Sequence, residues 1–209
     1  MDNDGNHFIG WGTTIYKVAD QRAGDIYSPL HIVASLDVRD GLDPEAAATV
    51  SRIFGFSLTY EGQVAIAMPG IIAVLNRDLG DMQYILLEEG EAVDNGISVD
   101  DRGGIYCVTS KYMRKVVWDG SRLSDDEADG AWKSEYDYVP NPKALSRGSG
   151  NTPTLMGFGP DEDKLAASWM IPSDPRRSSG IRSTTRITPT MRPAVPRIAS
   201  HHSSPPSHP

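Results

Sequence analysis

The densest group of potential ligands in this sequence is Asp125-Asp126-Glu127-Ala128-Asp129-Gly130. Its alternating acidic groups and sixth-position glycine follow the opening of a calcium-binding loop. In such a loop carboxylate oxygens hold the hard cation and the glycine makes the turn. The twelfth position should then supply a bidentate Glu, but it is Tyr136, and Glu135 falls one residue early. A solvated acidic loop is the simpler reading, and Asp161-Glu162-Asp163 reads in the same way as a charged turn.

The other reactive side chains are scattered. His7 and His31 have no histidine partner one helical turn away, and His201-His202 lies in a Pro- and Ser-rich tail with no scaffold to orient metal ligands. Cys107 is the one cysteine, so neither an intrachain disulfide nor a Cys-based zinc site is available. It stands within Ile105-Tyr106-Cys107-Val108 and reads as a small buried hydrophobe. Trp132, Tyr136 and Tyr138 alternate with polar residues and suit packing between sheets better than a ligand-facing stripe. There is no Gly-x-Ser-x-Gly elbow and no phosphate-binding loop. Catalytic and cofactor-binding residues are unknown at this level.

Charge narrows the partners. Residues 1–165 carry 14 Lys and Arg against 27 Asp and Glu, a net of −13. Such a body repels phosphate backbones, which argues against nucleic acid. Residues 166–209 carry six Arg and one Asp, a net of +5, and could attract anions weakly. No apolar run is long enough for a helix to span a bilayer. The start Met1-Asp2-Asn3-Asp4 lacks a signal-peptide pattern, so a cytoplasmic location is the default and secretion would need a start further upstream.

The elements that must carry these residues are short strands. Thr13–Val18 and His31–Val38 are β-prone, and Asp43-Pro44 opens a short helix over 43–50, with Asp43 as cap and Pro44 in the first turn. Phe56–Tyr60, Gln63–Met68 and Ile71–Arg77 are separated by Glu61-Gly62 and Pro69-Gly70, as in consecutive antiparallel strands. The grammar then returns at an offset of 41 residues, without a gap across 22 positions. Ser57 falls on Ser98, Gly62 on Gly103, Val64 on Ile105, Leu75 on Val116 and Asp78 on Asp119. Met82–Leu87 and Trp132–Tyr138 supply the fourth strands, and a third unit begins at Thr152.

A repeat of about 40 residues with several strands per unit is the pattern of a β-propeller, because one small twisted sheet cannot bury both faces alone. The expected fold is all-β: a partial propeller of about three four-stranded blades over residues 1–165. Residues 166–209, with eight Pro, nine Ser and six Arg, are expected to form a disordered tail. That change interrupts an inner strand, which suggests a frameshift in a longer propeller gene. Three blades fall short of the roughly four to eight of closed propellers, leaving sheet edges open to self-association.

The run Asp94-Asn95-Gly96-Ile97-Ser98-Val99-Asp100-Asp101-Arg102-Gly103-Gly104-Ile105-Tyr106-Cys107-Val108-Thr109 resembles the blade motif of two propeller groups. These are the quinoprotein-like bacterial propellers and the gluconolactonase-type sugar lactonases, in which Asn-Gly-Ile-Ala-x-Asp is common. Gly148–Gly157 is similar to the first group. The resemblance covers roughly residues 53–165, and it identifies blades rather than activities. In the lactonases a Glu, an Asn and an Asp bind a divalent metal, so the resemblance makes Asn95 the candidate metal ligand and calcium the candidate cofactor. The early Glu motif is not recognisable, and a later Asp would fall beyond residue 165. By itself Asp94-Asn95-Gly96 is a turn, since Asn and Gly accept positive φ. Quinone-cofactor motifs are absent.

Two functions stay open. The first is a binding scaffold, an incomplete piece of a longer quinoprotein-like propeller that takes a small-molecule ligand. The second is a fragment of a metal-dependent sugar-lactonase-type hydrolase, whose metal polarises the lactone carbonyl and activates water. An extracellular sensor or adhesion propeller is a third reading, and it needs an upstream signal peptide.

Overall fold

The computed structural model describes residues 1–93, 95–136, 151–157, 164–169 and 181–187. Among these, fifteen strands form four antiparallel sheets in chain order. The all-β expectation holds.

The first sheet has three strands, β1 (His7–Trp11), β2 (Thr14–Asp20) and β3 (Leu30–Asp37). A 3-10 turn, Val38–Gly41, and α1 (Pro44–Thr49) follow. The Asp43 carboxylate accepts from the backbone N–H groups of Glu45 and Ala46, and Pro44 occupies the first turn, as the sequence predicts. The second sheet is a simple meander of β4 (Gly55–Leu58), β5 (Val64–Met68), β6 (Ile71–Leu75) and β7 (Gln83–Leu86). The third holds β8 (Ser98–Val99), β9 (Gly104–Val108), β10 (Tyr112–Trp118), β11 (Leu123–Ser124) and β12 (Trp132–Glu135). The fourth contains β13 (Thr154–Met156), β14 (Lys164–Trp169) and β15 (Ile181–Ile187).

The 41-residue offset is visible in the backbone. Gly62 and Gly103 close equivalent turns at φ 82° and 79°, a left-handed conformation that favours glycine. The strands that follow them, β5 and β9, are buried along their whole length.

Three details differ from the sequence expectation. Four sheets are present instead of about three, and only the second is a plain four-stranded unit. The fourth strand of the third sheet is split: β11 pairs with the end of β10 and β12 with its beginning. A 3-10 turn at Glu127–Asp129, inside the acidic stretch, separates the two pieces. Finally, the boundary at residue 165 passes through a strand, because β14 runs from Lys164 to Trp169 and pairs with β15. These strands extend into the segment expected to be disordered, whose other residues lie outside the described ones. Ala166 and Ala167 are buried.

The strand period of two sorts the core. On β5 and β6, Val64, Ile66, Met68, Ile71, Ala73 and Leu75 face the first sheet, where they meet Ile15, Val38, Phe8 and Leu36. The alternate residues Ala65, Ala67, Ile72 and Val74 face the third sheet and meet Ile105, Cys107, Val116 and Trp118. The far face of the third sheet carries Tyr106, Val108 and Met113, against Leu155 and Ala166 of the fourth. Both faces of the two middle sheets are thus buried, which explains why their strands read as continuous apolar runs.

Neighbouring sheets meet at both edges, β4 with β8 at one and β7 with β11 at the other. The first strand of each sheet lies at its edge, and glycines there let neighbouring backbones approach. A Cβ on Gly55 would lie 2.7 Å from Ile97 Cγ2 and 3.1 Å from the Asn95 carbonyl oxygen. A Cβ on Gly96 would lie 3.4 Å from Thr152 Cβ, and one on Gly10 would lie 3.8 Å from Ile53 Cβ. At the opposite edge side chains join the sheets. Asp43, the cap of α1, accepts a hydrogen bond from the Tyr84 hydroxyl of β7 at 2.5 Å, and Ala46 of α1 joins the core between the first two sheets. The long Gln83 side chain bridges the second and third sheets, donating to the Ser121 carbonyl at 2.7 Å and accepting from the Leu123 N–H at 3.0 Å.

Candidate functional site

Asn95 lies at the edge formed by the first strands, where the chain approaches β8. It is half-buried, with its carbonyl oxygen against Gly55. Gly96 beside it is covered by Thr152, and the Ser98 hydroxyl donates to the Pro153 carbonyl at 2.5 Å. Approach segments of the second, third and fourth sheets therefore meet around this turn. The named neighbours Gly55, Ile97 and Thr152 bring no carboxylate, and among the described residues no group of three or more His, Cys, Asp or Glu side chains converges. Around it stand the Thr152 and Ser98 hydroxyls and backbone carbonyls, while Asp94 lies outside the described residues. Such groups can hydrogen-bond a polar ligand.

The acidic stretch is spent on local structure. Asp126 accepts from the Ala128 N–H and caps the 3-10 turn. Asp129 takes the Arg122 guanidinium at 2.6 Å and the Ser124 hydroxyl at 2.5 Å. Asp125 points its carboxylate to Arg114, 3.9 Å away. The carboxylates thus serve different partners, so the solvated-loop reading accounts for them.

A charged cluster that sequence reading missed lies nearby. Arg114 of β10 makes two hydrogen bonds to the Glu91 carboxylate, Nε to Oε1 at 3.2 Å and Nη2 to Oε2 at 2.8 Å. The Glu91 side chain is fully buried and that of Arg114 is 6% exposed. Glu88 lies 3.8 Å from the same guanidinium and also binds Lys133 and the Tyr112 hydroxyl. The Lys133 ammonium holds the Glu88 carboxyl below the usual glutamate range. A signal existed in the sequence. Arg114 shares its strand phase with Val116 and Trp118, a phase that faces the core, so its charge must be paired.

The opposite face of β10 carries a second network. Lys115 pairs across the sheet with Tyr106 on one side and Trp132 on the other. Its ammonium stands 5.7 Å from the Tyr106 ring centroid, and burial lowers its affinity for the proton. The Tyr106 hydroxyl donates to Asp100 at 2.6 Å, while the other Asp100 oxygen accepts from the N–H groups of Arg102 and Gly104. Burial, and then this hydrogen bond, raise the Tyr106 phenol well above its ordinary range, so it stays protonated. Trp132 packs edge-on against Tyr106, with ring centroids 6.0 Å apart. Tyr136 donates its hydroxyl to the Thr109 carbonyl. These two aromatics therefore pack, as the sequence suggests, and Tyr138 lies outside the described residues.

Cys107 is fully buried between the second and third sheets, and burial pushes its thiol up to about 12. It stays protonated at neutral pH and is not a nucleophile. His7 and His31 are exposed, on β1 and β3. The pair His201-His202 and the turn Asp161–Asp163 lie outside the described residues.

No family model matches this chain, and no solved structure matches it. It is similar to an uncharacterized protein of Archaeoglobus fulgidus, with 35% identity over 116 residues. The match takes in 53% of this chain and 22% of the relative, so the chain spans about a fifth of the relative's length. No helix among the described residues is long and apolar enough to cross a membrane.

Proposed function

We propose that this chain is part of a β-propeller that works as a binding scaffold, taking a small polar ligand at the first-strand edge of its sheets. The close backbone approach at the glycines of the first-strand edge supports this reading. Stacked flat sheets keep about 10 Å between layers, whereas Gly55 and Gly96 sit in direct contact with the backbone or side chain of the next unit. A helix and a glutamine span the opposite edge. Sheets that touch along their first strands could radiate from that side, as blades do around a central axis. The chain is an incomplete set of such blades within a longer polypeptide, and the small share of the archaeal relative that it spans supports this.

The turn at Asn95 is then the ligand-facing position nearest the axis, where hydroxyls and backbone carbonyls of three units meet. A thermal-shift screen with sugar acids and lactones, with and without calcium, tests the reading. The scaffold predicts ligand-dependent stabilisation that needs no calcium and weakens in Asn95→Ala. Calcium-dependent lactone hydrolysis that disappears in the same variant would replace it with the lactonase-type reading.

A further inference from the structure

Arg52 and Phe54 stand on the segment that leads into β4, as Asn95 stands on the segment that leads into β8. The 41-residue offset makes the two places equivalent. Ser57 of β4 pairs with Ala65 of β5, and Ser98 of β8 pairs in the same way with Tyr106 of β9. Phe54 therefore takes the place of Asn95, and Gly55 that of Gly96. Gly55 packs on the Asn95 carbonyl, so Phe54 is the direct chain neighbour of that contact.

Arg52 runs against the charge economy of the chain. Arg22, Arg39, Arg77, Arg114 and Arg122 each have an acidic partner. Among the described residues Arg52 has none, although acidic groups outnumber basic ones 27 to 14 over residues 1–165. What holds it is the half-buried Phe54, with the guanidinium carbon 4.3 Å from the ring centroid. A guanidinium stacked on a ring loses little freedom when its N–H groups then grip a planar anion such as a carboxylate. Arg102 is also unpaired, but it stands in the turn between β8 and β9, at the opposite end of the strands. Polar groups for the rest of a ligand lie along the same edge as Arg52: the Thr152 hydroxyl against Gly96, and the Ser98 hydroxyl with the Pro153 carbonyl.

We infer that the ligand is a hydroxylated carboxylate, its carboxylate held by Arg52 on the Phe54 ring and its hydroxyls by the polar groups around the Asn95 turn. The inference rests on the binding reading above and adds to it the charge of the ligand. The acidic body opposes an anion at a distance, so Arg52 acts at contact range, as a selector and not as a long-range attractor.

Calorimetric titration of the full chain with D-galacturonate, its methyl ester and D-galactose at pH 7 tests this. The ester has nearly the shape of the acid without its charge. The wild type is expected to bind galacturonate about tenfold or more tighter than either neutral compound, the scale of a hydrogen bond to a charged group. Arg52→Gln is expected to bind all three alike, and Arg52→Lys to regain part of the preference, since it restores the charge without the planar fork. Arg52 is exposed, and far-UV circular dichroism checks that both variants keep the fold. Equal binding of galacturonate and its ester by the wild type would overturn the inference and leave the binding reading standing. So would an Arg52→Gln chain that keeps the preference. Binding of none of the three overturns it as well, and if the lactones of the thermal-shift screen also fail, the binding reading falls with it.

Discussion

Glu91 and Arg114 show how much one buried pair can fix. Glu91 comes from the segment between β7 and β8, Arg114 from the middle of β10, and their two hydrogen bonds tie that segment to the third sheet. Removing one partner of a buried pair leaves an uncompensated charge in the core and costs about 3–5 kcal/mol. Arg114→Met is expected to lose stability in that range in urea unfolding. The double variant Arg114→Met with Glu91→Leu is expected to recover most of the loss, since two apolar side chains leave no orphan charge. A double variant as unstable as the single one would mean that the pair contributes shape and not charge balance. The sequence held half of this. The core-facing phase of Arg114 announced a buried cation, but nothing local identified Glu91, 23 residues away, as its partner.

At the scale of elements, turn chemistry was the most legible feature. Gly62, Gly70 and Gly103 all adopt positive φ, and each stands in a predicted turn. The short helix was equally readable, because its cap is a local property of Asp43 and Pro44. The split of β11 from β12 was not. Trp132–Tyr138 alternates like one strand, and only the pairing with β10 shows that β11 occupies the other half of the same edge. Equivalent glycines also differ in their surroundings. A Cβ on Gly103 would stand 1.9 Å from the Trp118 carbonyl oxygen, whereas one on Gly62 would meet the flexible Arg77 side chain at 3.3 Å. Gly62→Ala should therefore cost about 1–2 kcal/mol, the penalty of the left-handed conformation. Gly103→Ala adds a backbone clash and should cost clearly more. Equal losses in thermal or urea unfolding would contradict the tight packing of the third sheet at this turn.

For the whole molecule, the 41-residue repeat pointed to β-sheets in series, and four sheets stacked in chain order are what the described residues show. The number of sheets was misread because the first has no clear fourth strand and uses α1 at that edge instead. The line at residue 165 followed a change in composition, which reports on burial only indirectly, and it fell inside β14. The ligand was not legible, since the site around Asn95 is assembled from three units far apart in sequence. The central proposal is that the sheets radiate from the edge of their first strands, and oxidative cross-linking tests it most directly. A Cβ on Gly96 lies 3.4 Å from Thr152 Cβ and one on Gly10 lies 3.8 Å from Ile53 Cβ, close to the roughly 3.5–4.5 Å that a disulfide requires. The pairs Gly10→Cys with Ile53→Cys and Gly96→Cys with Thr152→Cys are each expected to close in high yield under mild oxidation, with Cys107 buried and silent. The pair Gln83→Cys with Leu123→Cys reports whether the sheets approach as closely across the opposite edge. Failure at the glycine edge in a folded protein, or equally ready closure at both edges, would contradict the proposed radiating arrangement of the sheets.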